Sequence, residues 1–517
     1  MAKNIDFMGA VFPDVPSIRL PQQGGGLVSF DDTTDANATA SDIAEGKTAY
    51  VNGVKLTGTA SGGSANIQAL SVTQNGTYTA SGGVDGYSPV TVSVSGGGGG
   101  SVSPKQINFI DYDGTILHSY TKAQIQAMTS ESDLPSNPSH TGLTAQGWNW
   151  TLAQIKTQLT AAPDGDVWVG QMYVTASGDT EIDIELQEGR LSPSLGICPN
   201  GTVEIDWGDG SAKSTVTGTS TSTIKNTAHT YTAGSYTIKL HVVSGSFAIP
   251  GFSSNGSRLL WTGANSTTNS NKAYQSAIKA VRLGSGITSI GQYAFQYCYS
   301  LTSITMPSTV TSIENYYAFS YCTSLLSVTI PSNVTSIGSY AFQYCYSLTS
   351  ISIPSGVTSF DTYVFQYCPA LASITIPSGV TSMGSYEFAY CYSLSKITLP
   401  SRLSAIGNNM FYTCPALASI TIPSNVTNIG NSSFQYCYRF TSITIPSSVT
   451  KIGTSAFSNC YGIAEYHIQP TTVPTLSNTN AFSNIQPDCV IYVPSAKLND
   501  YKTAQNWSSY ASYMQGE

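Results

Sequence analysis

Charge is what this sequence has least of. Only 10% of its 517 residues are charged, against roughly 25% in an ordinary soluble domain. Lys and Arg number 21 against 29 Asp and Glu, a net charge of −8, and the basic residues form no cluster. Nucleic acid is therefore not an expected partner, since phosphate backbones are held by Lys and Arg. So little charge also gives weak steering toward any ligand. No apolar run approaches the ~20 residues that span a bilayer, so membrane insertion is not expected. The start, MAKNIDFMGAVFPDVPSIRLP, lacks the apolar core and small-residue cleavage site of a signal peptide. The expectation is a chain made in the cytoplasm. The five histidines, at 118, 140, 229, 241 and 467, have neither metal nor triad spacing. Cys-x-x-Cys pairs are missing, which argues against zinc. The sequence gives no reason to expect a metal ion or a cofactor.

Gly and Ser punctuate the chain at 22–26, 61–64 and 95–101, runs that behave as flexible linkers. The reading is mainly β and multidomain. It runs 1–33 as an N-terminal segment, 34–63 as a small helix–hairpin module, 64–97 as a small β module and 98–104 as a linker. Then come 105–170 as a small α+β module, 171–246 as a β-sandwich, 247–277 as a connector and cap, 278–470 as a repeat array and 471–517 as a C-terminal cap. Ser41 or Asp42 can cap a short helical turn that Gly46 ends. TAYVNGVKLTG reads as a hairpin about Asn52-Gly53. In 105–170, Thr121 caps KAQIQAM, and Leu152, Ile155 and Leu159 share one helical face around a core with Trp148 and Trp150.

From about 278 the chain repeats itself. Cysteines fall at 298, 322, 345, 368, 391, 414, 437 and 460, spaced by 24 and then by 23 six times. A fixed period of this size means a solenoid. In LTSISIPSGVTSFDTYVFQYC, Ile351 and Ile353 point inward from a short strand that Pro354 ends; Val357, Phe360, Phe365 and Cys368 complete the interior. About eight rungs at ~4.8 Å make a rod near 40 Å long. Same-column cysteines lie within disulfide reach, but a small apolar residue favoured in cores explains them better, so Cys298, Cys322, Cys345, Cys368, Cys391, Cys414, Cys437 and Cys460 are expected as a stacked, reduced ladder.

Tyrosine is abundant, with 32 residues, and in the array it falls in columns. Tyr293, Tyr317, Tyr340, Tyr363 and Tyr386 stand five before the cysteines. Tyr297, Tyr321, Tyr344, Tyr367, Tyr390 and Tyr436 stand just before, and Tyr299, Tyr346, Tyr392, Tyr438 and Tyr461 just after. If Phe365 and Cys368 point inward, the neighbours of each cysteine point outward. Tyr297, Tyr299, Tyr344, Tyr346, Tyr390, Tyr392, Tyr436 and Tyr438 are then candidates for binding a partner, because Tyr joins a flat apolar face to a polar tip. The other reading, that the rings only pack on one another, stands beside it.

One stretch raises a chemical alternative. NFIDYDGTIL, at 108–117, resembles the nucleophile loop of haloacid-dehalogenase-type phosphatases, with Asp111 and Asp113 following a strand. GDTEID places Asp179 and Asp183 at the spacing such enzymes use for Mg²⁺. That fold requires a parallel sheet with crossover helices, and the ~65 residues between the motifs are rich in Ser, Pro and Gly. The preferred reading is a hairpin turning at Asp113-Gly114. In the array, Glu314, Asp361 and Glu387 stand on different rungs, and Glu314 with Asp361 offers only a weak case for a glycan-cleaving carboxylate pair. The chain is not expected to be an enzyme.

Three resemblances join these readings. FMGAVFPDVPSIRLPQQGGG, TASDIAEGKTAYVNGVKLTGT and NGTYTASGGVDGYSPVTVSV, over about 5–97, resemble modules of tail, fibre and baseplate proteins of bacteriophages of Gram-positive bacteria. GTVEIDWGDGS and HTYTAGSYTIKLHV resemble polycystic-kidney-disease (PKD) domains, immunoglobulin-type sandwiches, through Trp207, Gly208, Asp209, Gly210, His229, Tyr231, Gly234 and Tyr236. The array resembles BspA-type leucine-rich repeats of bacterial surface antigens and phage adhesins. Tyr501 and Trp507 match the end cap of such arrays. Together they imply a virion appendage, trimeric by analogy with fibres, whose N-terminal segment attaches to other virion proteins and whose rod binds a host-surface glycan or protein.

Overall fold

The computed structural model describes residues 106–161, 166–250, 259–261 and 274–517, and the backbone of eight strands before them. The chain forms two compact units, 1–103 and 104–517. The first holds four antiparallel pairs: Ile5–Phe7 with Ala10–Phe12, Ser17–Gln22 with Gly26–Asp31, Thr48–Val51 with Val54–Thr57, and Gly76–Tyr78 with Val90–Val92. The third pair brackets Asn52-Gly53, where the sequence places a hairpin. The helical turn expected after Ser41 or Asp42 lies outside the described residues.

In the second unit, the α+β module has a four-stranded sheet. Its order is Ile116–Thr121, Gln106–Ile110, Val167–Thr175 and Leu143–Trp148. Val167–Thr175 runs parallel to Gln106–Ile110, and helices Lys122–Ala127 and Leu152–Ala161 lie between them in the chain. Thr121 starts the first helix with a capping box to Gln124. Leu152, Ile155 and Leu159 bury their shared face against Ile107, Phe109, Ile125 and Trp150. The expected boundary at 170–171 falls inside the strand Val167–Thr175; the near-continuous apolar run VWVGQMYV belongs to one central strand buried on both faces.

The strands expected to form a separate sandwich join the rod. Thr180–Leu186 pairs with Gly234–Ile249 on one edge and with Ile278–Arg282, the first strand of the array, on the other. Gly234–Ile249 also pairs in parallel with Ile287–Ile290, and Ser194–Asp206 closes the sheet beyond it. The array then stacks on this sheet: Ser303–Thr305 on Ile278–Arg282, and Ser312–Ile313 on Ile287–Ile290. A single hydrophobic core runs from Ile182 to Met514. Arg282 crosses the junction with a bidentate pair to Asp183 and a bond to Glu181 at 3.0 Å. This direct strand pairing hides the open edge of the first rung; most of the expected connector and cap, 251–258 and 262–273, lies outside the described residues.

A rung consists of a short strand, a proline, a second short strand and a tight turn carrying Phe and Cys, with the first strand missing at 418–423 and the second reduced to a bridge at Ser382. Ile351, Ile353, Val357, Phe360, Phe365 and Cys368 all point inward and are buried. The phenylalanines form one continuous stack from Phe295 to Phe482. At the far end Trp507 lies against Phe482 and donates to Pro474 O at 2.7 Å, while Tyr501 donates to Pro470 O at 2.7 Å.

Candidate binding surfaces of the rod

The residues five before and one before each cysteine have left-handed backbone. Tyr340, Tyr344, Tyr363 and Tyr367 have φ of 60°, 60°, 64° and 58°. On later rungs Asn409, Thr413, Ser432, Ser455 and Asn459 hold the same places with the same sign of φ. This conformation costs a non-glycine residue on the order of 1–2 kcal/mol. It turns the side chain out of the rod and lets the turn stack: Tyr340, Phe342 and Tyr344 each donate their N–H to the next rung, at Thr362, Val364 and Gln366.

Two tyrosine ladders result. One runs Tyr293, Tyr317, Tyr340, Tyr363, Tyr386, with ring centroids 5.2, 4.5, 4.7 and 4.7 Å apart. The other runs Tyr297, Tyr321, Tyr344, Tyr367, Tyr390 with its closest step at 4.1 Å. It continues edge-on through Tyr412 to Tyr436, because Thr413 takes the left-handed place on that rung. Ring faces are used up within the ladders and hydroxyls bond within the second, Tyr321 with Tyr344 and Tyr367 with Tyr390, so what these columns offer a partner is mainly ring edges. Burial raises the pKa of Tyr317 to about 12 and pushes Tyr321 and Tyr367 up further.

The column after the cysteines divides. Tyr346 and Tyr392 are 1% and 8% exposed, whereas Tyr438 and Tyr461 are 42% and 46% exposed and stack at 5.8 Å. The expectation that Tyr346 and Tyr392 point outward is corrected. Tyr346 turns its ring edge-on against Tyr344 at 6.1 Å, and Tyr392 does the same to Tyr390 at 6.4 Å. Tyr297, Tyr299, Tyr344, Tyr390 and Tyr436 are half-buried.

The eight cysteines are thiols in the interior. From Cys322 on, each donates to the phenylalanine carbonyl of the preceding rung, as Cys345 Sγ does to Phe319 O at 3.3 Å and Cys460 Sγ to Phe434 O at 3.0 Å. Cys298 instead donates to Gln275 Oε1 at 3.3 Å. Desolvation raises the thiols of the ladder from Cys322 to Cys460, Cys391 and Cys460 to about 12. They are held out of thiolate chemistry.

The carboxylates do not assemble. Asp111 is buried and accepts from Tyr173 Oη at 2.7 Å and Tyr112 N at 2.8 Å, and hydrogen-bonds His140 Nε2 at 2.6 Å. Asp113 accepts from Thr115 N at 2.9 Å in a turn where Gly114 takes φ 89°. Asp179 bonds His241, and Asp183 is held by Arg282 and Thr237. In the rod Glu314 and Asp361 are exposed, while Glu387 is fully buried. Among the described residues no group of three His, Cys, Asp or Glu is placed to hold a metal ion.

A surface the sequence did not single out is the strand ladder itself. The α+β module lies on it. Asn149 Nδ2 donates to Ile330 O, Trp150 Nε1 to Ile353 O and Gln158 Nε2 to Ile376 O, each at 2.9 Å. These three carbonyls precede prolines, one rung apart. Trp168 Nε1 adds a bond to Ser373 Oγ at 3.0 Å. Gly170 lies against Thr329, where a Cβ would come within 2.2 Å of the hydroxyl oxygen. Ser327, Thr329, Ser350, Ser352 and Thr375 are buried beneath the module. The same repeat positions two to five rungs along, Ser419, Thr421, Ser442 and Thr444, are exposed.

Residues 268–372 and 358–487 match the family described as BspA type leucine rich repeat region, in six copies. The rod is thus built of BspA-type leucine-rich repeats. Among solved structures, a leucine rich cell surface protein of Faecalibacterium prausnitzii is 25% identical over 48% of this chain and 78% of its own, with a TM-score of 0.29. The leucine rich repeat protein of T. pallidum is 26% identical over 36% of this chain and 83% of its own, with a TM-score of 0.28. The pneumococcal vaccine antigen PcpA is 20% identical over 45% of this chain and 64% of its own, with a TM-score of 0.32. No curated protein matches the chain.

Proposed function

We propose that this chain is a structural, non-catalytic virion protein of a bacteriophage of Gram-positive bacteria, which binds the host cell surface through its repeat rod. The observation that carries the binding role is the long, regular, nearly uncharged surface of the rod, in a chain whose conspicuous carboxylates are each committed to a local partner. The virion assignment rests on the resemblance of about 5–97 to phage tail modules. In this reading the first unit assembles with other chains and attaches to other virion proteins, because its short hairpins are too small to bury a core alone; that the assembly is a homotrimer rests on the resemblance to fibres. The strands around Trp207 keep their PKD-type reading as part of the same proposal. The exposed pair Tyr438–Tyr461 is the accessible remnant of the tyrosine columns.

The test combines electron microscopy with antibody to the rod and adsorption assays with the purified full chain. Label on particle appendages, and slowed phage adsorption in the presence of added chain, are the expected results. Label on the envelope of phage-free bacteria would replace the virion by a bacterial adhesin. Mg²⁺-dependent phosphatase turnover lost in Asp111→Asn, or shortening of glycan chains, would overturn the non-catalytic role.

A further inference from the structure

The α+β module shows what the strand ladder binds. It occupies the ladder with side-chain N–H donors set one rung apart, on the carbonyls of Ile330, Ile353 and Ile376. It also engages the ladder hydroxyls: Thr375 Oγ1 donates to Asp166 O, and Ser352 Oγ to Trp168 O, both at 2.8 Å. Its last contacts are Gln158 Oε1, which accepts from Ser378 N at 2.7 Å, and Asp166, 3.8 Å from Lys396. The column of repeat positions continues past that point, through 418–423 where no strand forms, to a further ladder that starts at Ser442–Ile445. Ser419, Thr421, Ser442 and Thr444 repeat the chemistry of the covered rungs and are exposed. The carbonyls of Leu399 and Ile422 again precede prolines and receive no bond from the described residues of the module. The open segment ends where His467 stacks on Tyr492 at 5.1 Å.

We infer that this open segment binds an extended, uncharged polysaccharide lying along the rod. The inference rests on the surface-binding role proposed above and gives that role a site and a ligand class. Three observations point to the occupant. The segment continues an interface that is already made through hydrogen bonds to carbonyls and hydroxyls. Between Lys396 and Glu465 the ladder positions carry no charge, so no anion or cation is selected. None of the exposed large apolar side chains lies on the ladder, so it lacks the aromatic or aliphatic anchors on which protein interfaces depend. A polysaccharide supplies hydroxyl donors and acceptors at a regular spacing. The rungs repeat every ~4.8 Å, so equivalent Ser and Thr hydroxyls recur along the segment.

The probe is neutral polysaccharide purified from the walls of Gram-positive bacteria, beside intact and protease-treated walls. The full chain is compared with Thr421→Arg/Thr444→Arg and with Tyr438→Ser/Tyr461→Ser, all at exposed positions, with folding checked by circular dichroism. The expected result is binding to the polysaccharide and to both wall preparations, weakened about tenfold or more by the arginine pair (~1.4 kcal/mol) and unchanged by the serine pair. Loss of binding in the serine pair alone moves the site to the tyrosine face and overturns the ladder site while leaving the surface-binding role. Binding that protease treatment of the walls removes identifies a protein partner and overturns the ligand class. If adsorption of phage is blocked by the chain yet no wall preparation binds it, the inference fails and the role survives; if both fail, the role fails with it.

Discussion

Glu387 stands where other rungs carry Ala341, Val364 or Met410, and nothing of it is exposed. One carboxyl oxygen accepts from Val364 N at 3.1 Å and the other has no partner. Burial, the largest cause, raises its pKa well above the usual carboxylate range. A carboxyl whose folded pKa exceeds its unfolded value helps most at low pH. Its contribution declines as pH rises from the unfolded value of about 4.5 through the folded one. Glu387→Met is therefore expected to raise thermal stability at pH 7, by about 1–3 kcal/mol for removing a buried unpaired polar atom. The gain should shrink toward pH 4. Melting curves of both proteins from pH 4 to 8 check this; a pH-independent difference would place the carboxyl in contact with water. At this scale the sequence misleads. Tyr346 and Tyr438 occupy the same repeat position and have opposite exposure, because a ring either turns back on its neighbour or stands beside another exposed ring. A single letter in a column does not encode which.

At the scale of the element, the inward columns were legible because a period of 23 repeats every apolar contact, and Phe365, Cys368 and their equivalents lie where the pattern puts them. The left-handed backbone of the turn was not legible. It is normally signalled by Gly or Asn, and here Tyr holds it, its cost offset by stacking on both neighbours. Position 363 separates the two effects. Tyr363→Asn, matching Asn409 of a later rung, is expected to cost under about 1 kcal/mol, since Asn tolerates positive φ. Tyr363→Val removes the same ring but is β-branched and strained there, and is expected to cost ~2–3 kcal/mol. Urea unfolding of the pair decides. Equal losses would mean that the ring stack, and not the backbone, sets the stability of the turn.

For the whole molecule, the packing of the α+β module on the rod was beyond the sequence. Trp150 meets Ile353 across 203 residues, and SxT reads alike whether it is covered, as at Ser327–Thr329, or open, as at Ser442 and Thr444. The module and the rod have separate cores, so each is expected to survive loss of the contact. Gly170→Val drives a side chain into Thr329. The expected outcome is release of the module at a cost of about 1–3 kcal/mol. Hydrogen exchange should quicken at Ser327–Thr329 and Ser350–Ser352 and stay slow at Ser442–Ile445. Exchange quickening along the entire rod would show that the module supports the fold and does not simply rest on it.

The footprint of that module also bears on how the gene can change. Tandem units of 23 residues are prone to gain and loss by unequal recombination, and each exchange alters reach by one rung, ~4.8 Å, without disturbing its neighbours. Between Ser308, which Gln146 binds, and Ser378, which Gln158 binds, a lost unit would pull the module out of step with its rungs. Beyond Lys396 no described residue of the module bonds to a rung. Length variants of this protein are therefore expected to differ in the number of units between Lys396 and the cap at Tyr501 and Trp507, and to keep the number beneath the module fixed.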